Sequence, residues 1–432
     1  MKRFLFISIL IISSISLFSQ HKARVMSYNL LNYTDFTPDT RNDYFKKVIS
    51  SVNPDLLVVQ EIKTEASVAQ FLSSVLSSKY KAGAFIPNQV TFESNNAIFY
   101  KDSLFNFISN FPIIIPADPG TSERDISEFK LVHKFSKDTL IIFSAHLKAS
   151  SGTTNEQRRL KEVIKLREHT EKLSDKANFI IVGDFNIYNT FEPAYGKLIE
   201  TTTKNYFIDP INVVGVYNNS AFASIHTQST RENSFGGGAS GGLDDRFDFI
   251  MISQAVKDLG GIQFIDGTYT AYGNDGSHYN LSINFGSNTA VSKEIADALH
   301  FASDHLPVYA DFSFEVSTSA GQSKNFPTNY SLHQNYPNPF NPTTTIEYII
   351  PSGTRNIQDF SSSSSPRNNG INVTLKVYDV LGREVATLVD EYKTPGTYNC
   401  EWRIANSELS SGIYFYKLVA GNFSKMKKMV LI

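Results

Sequence analysis

Short apolar runs that are followed or interrupted by polar residues recur along the first two thirds of the chain. They are Val25-Met26-Ser27-Tyr28-Asn29, Leu56 to Glu61, Ile141 to His146, Ile180 to Asn186, Arg246 to Ile250 and Ser303 to Val308. Runs of this length, rich in Val, Ile and Phe, predict buried strands. Between them, Tyr44, Val48 and Val52 recur at helical spacing in a helix expected over Arg41 to Val52, which Asn53-Pro54-Asp55 stops. A second helix, with Asn155 as its expected N-cap, carries Leu160, Val163, Ile164 and Leu173 ahead of the strand Phe179 to Val182. Asn96 to Tyr100 and Leu131 to Leu147 also read as strands, so helices and strands mix in the α+β or α/β manner.

Periodicity weakens from Glu315 to Gln334, and the proline-spaced Asn335-Tyr336-Pro337-Asn338-Pro339-Phe340-Asn341-Pro342 follows. Beyond it, Thr344 to Ile350, Val373 to Tyr378, Tyr398 to Ile404 and Ile413 to Val419 alternate as strands, with Trp402 as a core position. They predict a small β-sandwich, interrupted by a serine-rich insertion over Phe360 to Gly370. The expected boundaries are therefore a first domain over 21–314, a linker over 315–334 and a second domain over 335–432.

At 432 residues, with 41% hydrophobic and 13% aromatic positions, the chain is long and apolar enough for two cores. Lys2-Arg3, the apolar stretch Phe4 to Phe18 and Ser19-Gln20 have the layout of a cleaved secretory signal over 1–20. No later run has the length to span a bilayer, which predicts an exported chain without a transmembrane segment once mature. Cys400 is the only cysteine, which excludes an intrachain disulfide. The formal charge of −2 becomes −4 without Lys2 and Arg3, a balance that argues against a dedicated polyanion binder and leaves phosphoester chemistry open.

Asn29, Glu61, His146, Asp184, Asn186, Asp248, Asp304 and His305 all sit at the ends of the predicted strands. A sheet that brings those ends together would place carboxylates, amides and imidazoles in one cleft, the equipment for metal-assisted phosphoester hydrolysis. Each residue also has a plain structural reading: Glu61 as a solvated strand-end carboxylate, His146 as a satisfied core histidine, Asp184 and Asn186 as turn residues. The ordered set outweighs these separate accidents. Gly236 to Gly242 lacks the lysine and the strand-to-helix setting of a phosphate-binding loop and is expected to be a mobile loop on the cleft rim. Asn274-Asp275-Gly276 reads as a turn.

These motifs, in this order from about Arg24 to Phe314, resemble the endonuclease/exonuclease/phosphatase superfamily. The resemblance implies a four-layer α/β/β/α sandwich of two mixed sheets flanked by helices, with a small C-terminal β-sandwich after it. It implies that Glu61 binds a divalent cation, Mg²⁺ or Mn²⁺ with Ca²⁺ as the alternative, with Asn29 beside it and Asp304 as a further or alternative ligand. His305 would act on the water or the scissile phosphate with Asp248 orienting its ring. Asp184 would position the water or assist the leaving oxygen, and Asn186 and His146 would hydrogen-bond the phosphate.

The tail carries Asn335 to Pro342, Val377-Tyr378-Asp379-Val380-Leu381-Gly382-Arg383-Glu384-Val385 and Leu409 to Tyr416. It resembles the type IX secretion sorting domain, which implies a bacterial chain delivered outside the cell or to its surface through residues 335–432. The expected activity is that of a monomeric secreted phosphodiesterase, a nuclease acting on extracellular DNA or RNA. A phosphatase or a sphingomyelinase-like lipid phosphodiesterase is the enzymatic alternative; a lipid enzyme should carry an exposed aromatic hairpin near the cleft, for which Phe105-Asn106-Phe107 is a candidate that reads rather as an ordinary strand. A surface-binding protein without catalysis is the alternative of another class. Lys148 and the pair Arg158-Arg159 are read either as phosphate contacts or as a solvated helix face.

Overall fold

The computed structural model describes residues 19–34, 40–89, 94–117, 123–234, 236–259, 261–316, 330–351, 371–393, 396–404 and 409–432. The chain divides into two compact units, Met1–Thr318 and Ser319–Ile432. The expected signal segment before Ser19, most of the expected linker and the serine-rich insertion lie outside the described residues.

In the first unit one sheet runs β11 (Ile262–Phe264), β13 (Val308–Val316), β1 (Ser19–Tyr33), β2 (Leu56–Ile62), β4 (Asn95–Lys101), β3 (Tyr80–Ala82), with β12 (Thr270–Ala271) also on β13. The other runs β5 (Phe105–Ile113), β6 (Ile126–His133), β7 (Thr139–His146), β8 (Asn178–Asp184), β10 (Asp248–Ser253), β9 (Phe207–Ile208). The central strands read as continuous apolar runs because both faces are covered. On β1, Val25 packs between the sheets with Leu56 and Ile142, whereas Met26 and Tyr28 pack with Phe45 and Val48 of α1 (Asn42–Val52). Phe71 of α2 (Glu65–Ser74) and Leu299 of α5 (Lys293–Ala302) join that outer layer. On β8, Ile180 and Val182 face the inter-sheet core, while Phe179 and Ile181 face Val163 and Leu166 of α3 (Thr153–Thr170) and Leu198 of α4 (Pro193–Ile199). The result is the expected four-layer α/β/β/α arrangement.

Local details depart from the sequence reading. Helix α3 starts two residues before Asn155: its N-cap is Gly152, and the Asn155 N–H already bonds the Gly152 carbonyl at 2.9 Å. Leu131 to Leu147 is two strands, because Lys134 to Asp138 turns between β6 and β7. Phe105-Asn106-Phe107 agrees with its reading as an ordinary strand: Phe105 is buried against Phe314 and His133, and Phe107 packs on Tyr100.

The second unit holds two antiparallel sheets, β14 (Ser331–Leu332), β15 (Thr343–Ile350), β18 (Gly396–Arg403) and β17 (Glu384–Lys393), β16 (Ile371–Tyr378), β19 (Gly412–Ala420), β20 (Phe423–Leu431). Residues of both sheets share one core, including Ile346, Trp402, Leu375 and Tyr416, which makes it a small β-sandwich.

Candidate active site

Strand register assembles the site. Parallel pairing sets His146 at the end of β7 opposite Asp184 at the end of β8, and antiparallel pairing sets Asp248 of β10 opposite the same Asp184. The close approach of β7 and β8 requires Gly183: its φ is +135°, and a Cβ there would lie 1.9 Å from the Ala145 carbonyl oxygen. In the other sheet, parallel pairing of β1 and β2 sets Asn29 opposite Gln60, one residue before Glu61. Beneath the site the Gln60 amide donates to Ser144 Oγ of β7 at 3.1 Å and its Oε1 accepts from Ser27 Oγ at 3.3 Å, joining the two sheets through buried polar groups.

At the strand ends the backbone leaves β geometry, with φ of +58° at Glu61 and +51° at Asn186. Non-glycine residues held in this region cost about 1–3 kcal/mol each and mark sites where the surroundings dictate the conformation. Glu61 is held by the Asn29 Nδ2–H on Oε1 and the Asn32 N–H on Oε2, both at 3.0 Å. Asn29 Nδ2 also lies 3.1 Å from Asp184 Oδ2 and 3.4 Å from His305 Nε2, so one amide spans both sheets and the catalytic loop candidate.

His305 is buried, and its Nδ1 meets Asp248 Oδ2 at 2.8 Å. Its Nε2 faces the cleft group, 3.6 Å from Asp184 Oδ2. His146 Nε2 lies 3.5 Å from Asp184 Oδ2 and 3.8 Å from Glu61 Oε1, while its Nδ1 contacts Ser94 Oγ at 3.3 Å. Asn186 stands beside Asp184 by its N–H, 3.1 Å from Asp184 Oδ1, and its side-chain amide donates to the Leu147 carbonyl. Asp304 is engaged elsewhere: its Oδ2 accepts the Ala239 N–H at 2.6 Å, and its buried Oδ1 has no hydrogen-bond partner among the described residues. Thus the glycine-rich loop is fastened to Asp304, and Ser229 Oγ secures the same Ala239 through its carbonyl at 3.0 Å.

Among the described residues, Glu61, His146 and Asp184 each offer one ligand atom, all within 4.8 Å of one another. Two hard carboxylates and an imidazole suit a divalent cation such as Mg²⁺ or Mn²⁺. Asn29 touches this group, whereas Asp304 does not share it. Electrostatics agree with a cation: burial raises the Asp184 carboxyl, and the charges of Asp248 and Glu61 raise it further, against the lowering influence of His305. Burial opposes charge on His305, but Asp248 and then Asp184 and Asp304 outweigh it and hold this imidazole well above its ordinary value. His146 goes the other way, well below, because burial and then Arg124 disfavour its charged form.

Three nearby residues escaped the sequence reading. Gln228 places its amide nitrogen 2.6 Å from His305 Nε2. Arg124 hydrogen-bonds the Leu147 carbonyl at 3.4 Å and lies close enough to influence both His146 and Asp184. Arg246, inside a recognised motif, is fully buried in a bidentate pair with Asp209 at 2.7 and 2.8 Å and lies over the Phe249 ring. For Arg159 both forms of the reading are corrected. Arg159 is buried on Glu192 and donates to the carbonyls of Lys148 and Ser150, while Arg158 pairs with Glu123 at 2.8 Å. Asp275 is turn chemistry, accepting from the N–H groups of Ser277 and Thr289 and contacting His278.

Residues 26–305, which contain every residue of this constellation, match the profile of the Endonuclease/Exonuclease/phosphatase family. The chain belongs to that family. Members of the endonuclease/exonuclease/phosphatase family are phosphoester hydrolases, many of them dependent on a divalent metal. Residues 334–432 match the profile of the Secretion system C-terminal sorting domain, which indicates export with release or attachment at the cell surface. Similar solved structures include a family protein from Bacteroides thetaiotaomicron, at 16% identity and TM-score 0.44 over 69% of this chain and 100% of that one. Others are D. rerio TDP2 complexed with single strand DNA product, at 16%, 0.46, 67% and 98%, and the human Nocturnin catalytic domain with bound sulfate, at 17%, 0.45, 69% and 97%. A search of curated proteins returns no match. Among the described residues no helix is long and apolar enough to cross a membrane.

Proposed function

We propose that this chain is an exported, divalent-metal-dependent phosphodiesterase that cuts nucleic acid. The observation that carries the reading is the meeting, at the ends of two sheets, of the Asp248–His305 pair with the Glu61, His146 and Asp184 cluster. Glu61, His146 and Asp184 would hold the cation, with Asn29 fixing Glu61 and Asp184; a bound cation supplies charge neutralisation at the phosphoryl oxygens. The opposed surroundings of the other groups divide the proton chemistry. Asp184, shared between the cation cluster and His305, would orient the attacking water and take up its proton. His305, kept charged by Asp248, directs Nε2–H at a phosphoryl oxygen and stabilises the charge that develops there. His146, kept neutral, contributes Nε2 as a ligand or hydrogen-bond partner.

Nucleic acid is favoured by the cations on one shoulder of the cleft. Arg124 lies beside His146 and Lys148 follows it by two residues; of their carboxyl neighbours, Glu162 is pushed up to about 8 by burial and Glu123 is paired with a further cation, Arg158. A polyphosphodiester presents further phosphates to such a shoulder. Lipid phosphodiester hydrolysis is a second reading, favoured by an apolar ribbon beyond Asn186. There Asn189 bridges Val216, and Phe191 and Val214 are each 70% exposed. Cleavage assays on single-stranded and double-stranded DNA, RNA and sphingomyelin vesicles, with Mg²⁺, Mn²⁺ or chelator, separate the two: metal-dependent cleavage of nucleic acid supports the first reading, and cleavage of lipid alone refutes it.

A further inference from the structure

The second ring nitrogen of His305 has a partner of its own. Nδ1 is committed to Asp248, so any contact with a reacting phosphate goes through Nε2. Among the polar groups of the described residues that face Nε2, the Gln228 amide is closest at 2.6 Å, against 3.4 Å for Asn29 Nδ2 and 3.6 Å for Asp184 Oδ2. The same Gln228 nitrogen is 3.5 Å from Asp304 Oδ2.

The backbone that carries Gln228 is fixed from both sides. Its N–H donates to the Asp245 carbonyl at 3.2 Å, and its carbonyl accepts the N–H groups of Asp244 and Asp245 at 2.9 and 3.0 Å. Next to it, Thr227 Oγ1 accepts the N–H groups of Phe247 and Asp248, both at 3.1 Å, and the Thr227 carbonyl accepts the Leu306 N–H at 2.7 Å. Thr230 N–H reaches the Asp304 carbonyl at 3.1 Å. The segment Thr227 to Thr230 therefore splints the strand bearing Asp248 to the loop bearing His305, and Gln228 is its one side chain laid on the imidazole. The charged ring presents Nε2–H, a donor, so in that form the Gln228 amide turns its oxygen to the ring, while its nitrogen suits a neutral ring; one amide on a flexible stem supplies either.

We propose that Gln228 is a positioning residue: in the free enzyme it occupies the cleft-facing Nε2 and fixes the ring plane of His305, then yields that contact to a phosphoryl oxygen of the substrate. Asp248 sets one end of the ring and Gln228 the other, so loss of Gln228 frees the imidazole to tilt about its bond to Asp248. A misplacement of about 1 Å in a reacting group costs on the order of a hundredfold in rate.

The inference rests on the phosphodiesterase reading, and two measurements keep their failures apart. In the full mature chain labelled with ¹⁵N-histidine, free of substrate and metal, Gln228→Ala and Gln228→Asn should both move the His305 Nε2 resonance and leave its Nδ1 resonance nearly in place. Asparagine keeps the amide but is one methylene too short, and it provides the test if the alanine variant folds poorly. With bis(p-nitrophenyl) phosphate and Mn²⁺, both variants should lose roughly ten- to a hundredfold in kcat with KM changed less than about threefold. An unmoved Nε2 resonance overturns the placement. Unchanged kcat, or a raised KM at constant kcat, overturns the positioning role in favour of ground-state binding. Absence of wild-type turnover on every phosphoester refutes the phosphodiesterase reading and the handover with it, while the ring resonances still decide whether Gln228 holds His305.

Discussion

Replacing Asp248 with asparagine isolates the contribution of one carboxylate to a buried imidazole. Asp248 Oδ2 and His305 Nδ1 are 2.8 Å apart, and both side chains are almost fully buried. Two unit charges about 4 Å apart interact by roughly 4 kcal/mol at an effective dielectric near 20. If His305 is charged as phosphate passes over Nε2, loss of that attraction raises the barrier by a similar amount, about three decades in rate. Asparagine keeps the shape but presents an amide that no longer favours the charged ring. The expected outcome is a fall in kcat of about 10²- to 10⁴-fold, with KM little changed. Steady-state kinetics on a chromogenic phosphodiester measures it, with thermal unfolding to confirm a folded variant. Turnover within tenfold of wild type would show that Asp248 does not hold the ring charged, since such a ring works nearly as well without its carboxylate.

Removal of the cluster carboxylates should act on metal binding before chemistry: Asp184→Ala and Glu61→Ala should each weaken Mn²⁺ binding in calorimetry, and chelator should abolish turnover of the wild type. Gly183→Ala should destabilise the first unit by roughly 2–5 kcal/mol in urea unfolding, because the added Cβ meets the Ala145 carbonyl and φ is positive. Glu162 provides a pH test. Burial pushes its carboxyl up to about 8, so between the ordinary carboxylate range and that value the folded state holds a proton that the unfolded state has released. Its contribution to stability therefore falls as pH rises through that window, by up to about 1.4 kcal/mol per pH unit, and Glu162→Gln should flatten the slope. Arg246→Met should cost about 3–5 kcal/mol by stranding Asp209 in the interior, a loss that the paired change to two apolar residues would largely recover.

The legible part of this molecule was what strands write into a chain locally. Continuous apolar runs such as Ile180 to Val182 announce strands covered on both faces, and the polar residues that end them, His146, Asp184 and Asp248, come together because neighbouring strands keep register. Gln228 carries no such signal. Its position depends on the pairing of a loop with Asp245 and His305, each remote in sequence, and its nearest neighbours suggest only an irregular segment. Arg159 misled because helical spacing cannot tell a solvated arginine from one buried on Glu192. Edge strands hid for the opposite reason: β17 is largely exposed, and β20 carries Lys425, Lys427 and Lys428, so neither shows the alternation of a half-buried strand.

The cluster at the sheet ends is proposed to cleave phosphodiesters of nucleic acid with a divalent metal. The most direct test of that proposal is hydrolysis of DNA and RNA by the full mature chain, with Mg²⁺ or Mn²⁺ and with chelator, beside His305→Ala. Cleavage that needs the metal and falls by several decades in the variant is the predicted result. Nucleic-acid cleavage that persists in chelator or survives the loss of His305, or no cleavage by the wild type with either metal, would contradict it.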